Sequence, residues 1–188
     1  EQIGVNVVSF SMEWTDGPLD GTHWTAPIIQ ASIDAGITWV VAAGNSAETH
    51  HNGTTMDVDG DGWIEVTSGG IEHNAFTIDP WDTAEVSLSW NDPATDLDLC
   101  LFDMELLAED GQPTQIECTE NPQGLGEPAT EILTLTNDTG ARHRYSYGVT
   151  RRSGPETTYE TRTWGTGPLQ FANPAASIGG PGNMADVI

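Results

Sequence analysis

Between Trp63 and Phe171 the chain is broken into short strand-like runs, with turn residues between them and no stretch of helical period. The runs are Trp63–Val66, Ala75–Ile78, Ala84–Trp90, Leu97–Phe102, Thr114–Cys118, Glu131–Leu135, Arg144–Arg151 and Leu169–Phe171. In Ala84-Glu85-Val86-Ser87-Leu88-Ser89-Trp90 apolar and polar residues alternate, so one side of that strand is dry and the other wet. Many such strands in series, each with a turn after it, can bury their dry faces only against one another. The pattern predicts an antiparallel sandwich or jelly roll with one wet face.

The first 46 residues have a different texture. Gly4–Ser11 is a β-branched run and reads as a strand. Thr22–Ala35 reads as a helix: Thr22 or Thr25 can cap it, Pro27 lies in its first turn, and Gly36 closes it. Ile37–Ala43 is a second, nearly continuous apolar strand. Such a strand implies cover on both faces, which parallel sheets have. Strand, helix and strand in this order predict a right-handed βαβ unit. The expected fold class is therefore mixed, an α/β piece joined to an all-β sandwich or jelly roll.

Twenty-nine acidic residues stand against five arginines and no lysine, a net charge of −24. Such a surface repels phosphate backbones and lacks the basic patch that anionic membranes attract, so neither nucleic acid nor membrane is an expected partner. Two explanations of the acidity stay open: solubility at high salt, where self-repulsion is screened, and carboxylates gathered for divalent cations. An apolar fraction of 37% with seven tryptophans is enough for a packed core. Cys100 and Cys118 have no metal-type spacing; a disulfide in an exported protein and two buried thiols both fit. No window of about 20 apolar residues spans a membrane. Both ends look cut, so the chain reads as an interior piece of a larger protein.

Val5-Asn6-Val7-Val8-Ser9-Phe10-Ser11, a helix, and then Val40-Val41-Ala42-Ala43-Gly44-Asn45 resemble the middle of a subtilisin-like serine peptidase, or subtilase. The family pattern is strand, N-x-S-x-G, helix, VV-x-AAGN. Ala176–Ile188 is similar to the segment that resumes the family's catalytic domain. Between the two, Val86–Leu101 is similar to the L-x-W-x-D…D-L-D-L-Y-L pattern of sandwich modules related to the pre-peptidase C-terminal family. Asn121–Gly124 and Glu127–Glu131 are similar to that pattern's Q-x-G…P-x-E portion. The resemblance implies residues 1–52 as part of a catalytic domain, 53–172 as an inserted β-sandwich, and 173–188 as the resumption of the catalytic domain.

It also implies roles. Asn45 would donate its side-chain amide to the oxyanion of a tetrahedral intermediate, where charge develops only in the transition state. The local residues alone favour an Asn in the left-handed region closing a turn. Ser9, Phe10 and Ser11 would form one wall of the substrate cleft by strand addition, and Ala42, Ala43 and Gly44 another; ordinary strand ends are the bland alternative. The family prefers Gly where Ser11 stands. Gly21-Thr22-His23-Trp24 looks like the family's His box, but Asp20 takes the place of the His and AAGN follows too soon. His50, His51, His73 and His143 read as surface residues. No Asp, His or Ser box of the triad is present, so the chain alone is expected to hydrolyse nothing.

Asp57-Val58-Asp59-Gly60-Asp61-Gly62-Trp63-Ile64-Glu65 reads D-x-D-x-D-G-x-x-E, the start of an EF-hand-type loop. Asp57, Asp59, Asp61, the Trp63 carbonyl and Glu65 are the expected ligands, and hard oxygens select Ca²⁺. Ser68 stands where the bidentate Glu belongs, and an acidic turn in an acidic protein is the alternative. Asp96 and Asp98 share one face of a strand and read as structural.

The expectation is a fragment of a secreted, salt-adapted subtilisin-like endopeptidase acting on protein or peptide substrates, with the triad outside the chain. The rival is a calcium-dependent carbohydrate- or protein-binding sandwich without catalysis. Open strand edges allow copies to exchange strands into a dimer.

Overall fold

In a computed structural model the described residues are 4–14, 21–123 and 129–188. Asp20, and the Gly124 and Glu127-Pro128 portion of the sandwich motif, lie outside them.

Eight strands form two antiparallel sheets packed face to face. In chain order, β1 (Val7–Phe10), α1 (Ala26–Asp34) and β2 (Thr38–Val41) come first. Then follow β3 (His50–Thr54), β4 (Asn74–Ile78), β5 (Thr83–Trp90), β6 (Asp96–Leu107), β7 (Pro113–Cys118), β8 (Thr130–Thr136), β9 (His143–Ser153) and β10 (Thr158–Trp164). One sheet has the order β3-β10-β5-β8 and the other β4-β9-β6-β7. Apart from the β6–β7 hairpin, successive strands alternate between the sheets, the double-sheet order of a jelly roll.

The mixed α/β class does not hold: the described chain is nearly all β, in antiparallel sheets, with one α-helix. Among the described residues only β1 and β2 pair in parallel, as a two-stranded ribbon of four residues each. The apolar run of β2 suggested a strand covered on both faces, yet its residues alternate between exposed and half-buried, and Val40 is 43% exposed. Apolar composition marks a strand able to be buried, whereas burial depends on what lies against it.

The core is the interior of the jelly roll. Val86, Leu88, Leu97, Leu99, Leu101, Tyr147, Val149 and Tyr159 are essentially sealed there. Among the described residues, Ile29 and Pro181 are the only larger apolar ones buried outside 64–169. The expected wet face is not wet along β6: Asp98, Cys100 and Phe102 point away from the core and are still buried. The Trp63 ring roofs this face, meeting Phe102 edge-on at 5.4 Å, and His73 meets Phe102 at 4.4 Å. Cys100 and Cys118 lie opposite each other on β6 and β7 and form a disulfide.

Three local expectations change. Trp63–Val66 is not a strand, since only Trp63 bridges, to Thr150. Leu169–Phe171 is not one either, although Leu169 N donates to Glu48 O at 2.9 Å. β3 and β10 were not anticipated, because polar Asn52 and Thr54 on one, and Glu160 and Arg162 on the other, hide their alternation.

The segments flanking the jelly roll meet each other. Trp14 and Gly180 form an antiparallel bridge, with Trp14 N donating to Gly180 O at 2.7 Å. Ile188 lies beside β2: Val41 N donates to Ile188 O at 2.8 Å and Ile188 N to Trp39 O at 3.0 Å. α1 begins after Thr25, whose side chain makes no cap, and Gly36 at φ +88° ends it, a conformation that favours glycine.

Candidate functional site: a groove beside the parallel ribbon

Beyond the C-terminal ends of β1 and β2 the chain opens into a groove of about 560 Å³. Ser11, Met12 and Glu13 line one side, and Ala42, Ala43, Gly44 and Asn45 another. Glu85 and Trp164 of the jelly roll complete it. The two segments are adjacent because β1 and β2 are in register and Ala42 N donates to Phe10 O at 3.0 Å. Ser9 and Phe10 do not line the groove. Ser9 is an exposed strand residue, and the Phe10 ring stacks on Trp14 at 5.0 Å.

Asn45 is exposed at the groove and has φ −120°, so it is not the left-handed residue of the turn. Gly44 holds that conformation at φ +78°. Asn45 precedes the short 3-10 turn Ser46–Glu48 without capping it, which leaves its carboxamide directed by no backbone partner of that turn. The Glu13 carboxylate lies against Gly44, where a Cβ would collide with it. It accepts from Ser46 Oγ at 2.8 Å and from Gly179 N at 3.3 Å, so it ties both flanking segments to the groove floor.

Arg162 lies behind this floor on the outward face of β10. It is 5% exposed, donates through Nη1 to Ser177 O at 2.8 Å, and has no hydrogen-bond partner at Nε or Nη2. Burial lowers its pKa, opposed by the negative charges of Glu13 and Glu160.

Of the four histidines expected at the surface, His50 and His51 are buried and His73 and His143 half-buried. His50 is fully buried, its Nδ1 2.6 Å from Asn173 O and its Nε2 3.3 Å from Glu160; His51 is buried, with Nδ1 2.9 Å from Phe171 O. Burial holds His51 and His73 below the ordinary histidine range. His23 is buried beside Trp14, with Nδ1 2.8 Å from Thr25 Oγ1. His50 and His51 tie the 171–173 segment to β3, because each ring meets one of its carbonyls.

The acidic loop folds back on itself. Asp57 accepts from Gly60 N at 2.7 Å and Gly62 N at 3.0 Å, Asp61 from Trp63 N at 2.9 Å, and Glu65 from Val58 N at 2.8 Å. One ligand atom each from Asp57, Asp59 and Asp61 lie within 4.8 Å of one another. Glu65 Oε2 is enclosed without a partner. Glu72, which the local pattern did not single out, faces this cluster: burial raises its pKa first, and the charges of Asp61, Asp59, Glu65 and Asp57 raise it further.

The sandwich motif has a structural use. Asp98 pairs with the Arg152 guanidinium, Asp96 accepts from Gln123 N at 3.0 Å, and the Gln123 side chain donates to Glu131. The motif residues thus clip the segment after Cys118 onto the sheet.

Sequence reasoning missed Glu13, Glu85 and Trp164 at the groove. Glu160, Arg162 and Trp164 are alternate residues of β10 and share its outward face, but the polar sequence of that strand carries no local signal for it.

The arrangement is a fold found in a protease. Over 97% of this chain and 40% of that one, the structure is similar to the CspB protease of Clostridium perfringens, at 15% identity and a TM-score of 0.57. At that identity the likeness shows the fold alone, and the chain spans about two fifths of that protease's length. A Yersinia pseudotuberculosis-derived mitogen matches 61% of this chain and 81% of its own at 10% identity, with a TM-score of 0.38, too low to carry an argument. No protein-family model and no curated protein sequence matches.

Proposed function

We propose that the chain is part of a secreted subtilisin-like serine endopeptidase whose groove binds an extended peptide, with Asn45 as the oxyanion donor and the triad supplied outside these residues. The observation that carries this reading is the meeting of Ser11–Glu13 with Ala42–Asn45 around one cavity, with the Asn45 carboxamide left out of the adjoining cap. A neutral amide on a short, well-anchored turn suits an oxyanion, because it needs no reorganisation when charge appears. Ser11 and Ala42–Gly44 would pair with or flank the substrate backbone, with Phe10 packing behind them.

Residues 53–172 are read as a domain inserted between 1–52 and 173–188; the contacts Trp14–Gly180 and Val41–Ile188, which rejoin the flanks, support this. The disulfide supports an oxidising compartment, and among the described residues no helix is long and apolar enough to cross a membrane. The net charge of −24 supports a saline setting. The parallel ribbon, with Val7 58% and Val40 43% exposed, favours pairing between copies.

Ca²⁺ is the fitting ion for the acidic loop, held by Asp57, Asp59 and Asp61 with Glu65 and the Trp63 carbonyl. The enclosed, unpartnered Glu65 Oε2 and the repulsion felt at Glu72 both favour a cation there. Calorimetric titration of the chain with Ca²⁺ should release or absorb heat that Asp59→Ala removes; no heat would delete the ion.

Asn45→Ala in the full-length protein tests the central assignment. Turnover should fall about 10²–10³-fold with KM little changed. Turnover equal to that of the parent protein would overturn it.

A further inference from the structure

We propose that the jelly roll builds a subsite, from Glu85 and Trp164, that selects an arginine side chain in the bound peptide. This rests on the reading of the groove as a peptide cleft. Glu85 on β5 and Trp164 on β10 are direct cross-strand partners, so their side chains leave the same face of the sheet together. That face is the groove wall.

Both side chains are uncommitted. Trp164 is 64% exposed and touches no other aromatic ring among the described residues, whereas Phe10, Trp14, His23, Trp24 and Trp39 pack on one another. Glu85 is exposed and has no ion-pair partner among the described residues. The other groove carboxylate, Glu13, is engaged by Ser46 and Gly179 and faces the charge of Arg162. No cationic residue lines the cavity, so the negative charge available to a ligand is that of Glu85.

Directly opposed strand residues have Cβ atoms about 5 Å apart, so a carboxylate and an indole leave the sheet side by side, and together they match the two recognition surfaces of a guanidinium. Its edge donates two parallel hydrogen bonds to a carboxylate, and its flat face stacks on an aromatic ring. A lysine ammonium would meet the charge but lose the stacking, so arginine should be preferred over lysine and both over a neutral residue.

The long-range field of so acidic a chain attracts any basic peptide, and the test has to separate that field from a local site. Fluorescence anisotropy would compare labelled hexapeptides identical except for one Arg, Lys or citrulline, the last a neutral isostere of Arg. The Arg peptide should bind about tenfold more tightly than the citrulline peptide. Glu85→Gln should erase that ratio. Glu109→Gln, which removes one charge from the hairpin between β6 and β7 in the other sheet, should leave it intact. Trp164→Leu should bring Arg down to Lys. Equal binding of the Arg and citrulline peptides would overturn the subsite while leaving the peptide cleft standing. Equal losses in Glu85→Gln and Glu109→Gln would reduce the effect to net charge and overturn the subsite. Failure of every peptide to bind would overturn the cleft, and the subsite with it.

Discussion

The jelly roll and the segments that flank it are held together by different physics. Inside the jelly roll, two sheets seal Leu88, Leu97, Leu99, Leu101, Tyr147 and Tyr159 against one another, and a disulfide ties β6 to β7. Among the described residues the flanks bury Ile29 and Pro181 alone of their larger apolar residues, and leave Val5, Val7, Met12, Trp24, Ile28 and Val40 exposed. They are positioned instead by polar devices: the Trp14–Gly180 bridge, the Glu13 carboxylate and the buried Arg162 guanidinium. A region with a closed core can be rigid by itself. A region held by a few hydrogen bonds takes its shape from what it docks on, and the groove lies on that docked region.

The comparison breaks first if core and flank respond alike to truncation. Leu99→Ala, at a fully buried position, should cost about 2–5 kcal/mol in denaturant unfolding. Val7→Ala, at a position 58% exposed, should stay within about 0.5 kcal/mol. Similar losses at the two positions would mean that the flank has a core of its own. The disulfide comes next. Replacing Cys100 and Cys118 by Ala should destabilise the jelly roll by about 3 kcal/mol, the loop-closure entropy of a bridge with a sequence separation of 18. Amide exchange in the flanks should be unchanged until the jelly roll itself unfolds.

Arg162 sharpens the comparison because it belongs to one region and serves the other. Arg162→Met strands the Ser177 carbonyl and leaves Glu13 and Glu160 without their cation. The cost should appear as local opening of about 1–3 kcal/mol, read as roughly ten- to hundredfold faster amide exchange in residues 4–14 and 173–188. The thermal midpoint of the jelly roll should hardly move. A matching drop in that midpoint would show that flank and core unfold as one unit.

Legibility in the sequence divides along the same line. Ala84–Trp90 shows its strand plainly, because period-two alternation reports a face in contact with a core. β10 shows nothing of the kind, since its outward Arg162 is buried by the flank, its outward Glu160 is half-buried, and its inward Thr161 and Thr163 are polar. The AAGN stretch locates one side of the groove, and Ser11 the other. Glu13, Glu85 and Trp164 are brought there by tertiary contacts between distant strands, and no local pattern contains them. The apolar run of β2 misled for the converse reason: its composition reports capacity for burial, and burial needs neighbours.

The smallest expected effect tests whether the sandwich motif is structural. Asp98 and Glu131 are both buried, and burial raises the pKa of each; Arg152 pulls Asp98 back, and Gln123 pulls Glu131 back. Raised carboxyl pKa values mean that the folded chain binds these protons more tightly than the unfolded one. The contribution therefore favours folding below the ordinary carboxylate range and is lost as pH rises through the raised folded values. At pH 7 both groups are a cost, and the charge of Asp98 adds to the cost of Glu131. Glu131→Gln removes one of them while keeping an oxygen to accept from Gln123. Its melting temperature should exceed that of the parent chain by about 1–3 °C at pH 7, and the gap should close as pH falls toward 4. A gap that stays constant with pH would assign the effect to altered hydrogen bonding instead of charge. A fall in melting temperature at pH 7 would mean that the carboxylate's bonds to the Thr119–Gln123 clip outweigh the cost of burying it.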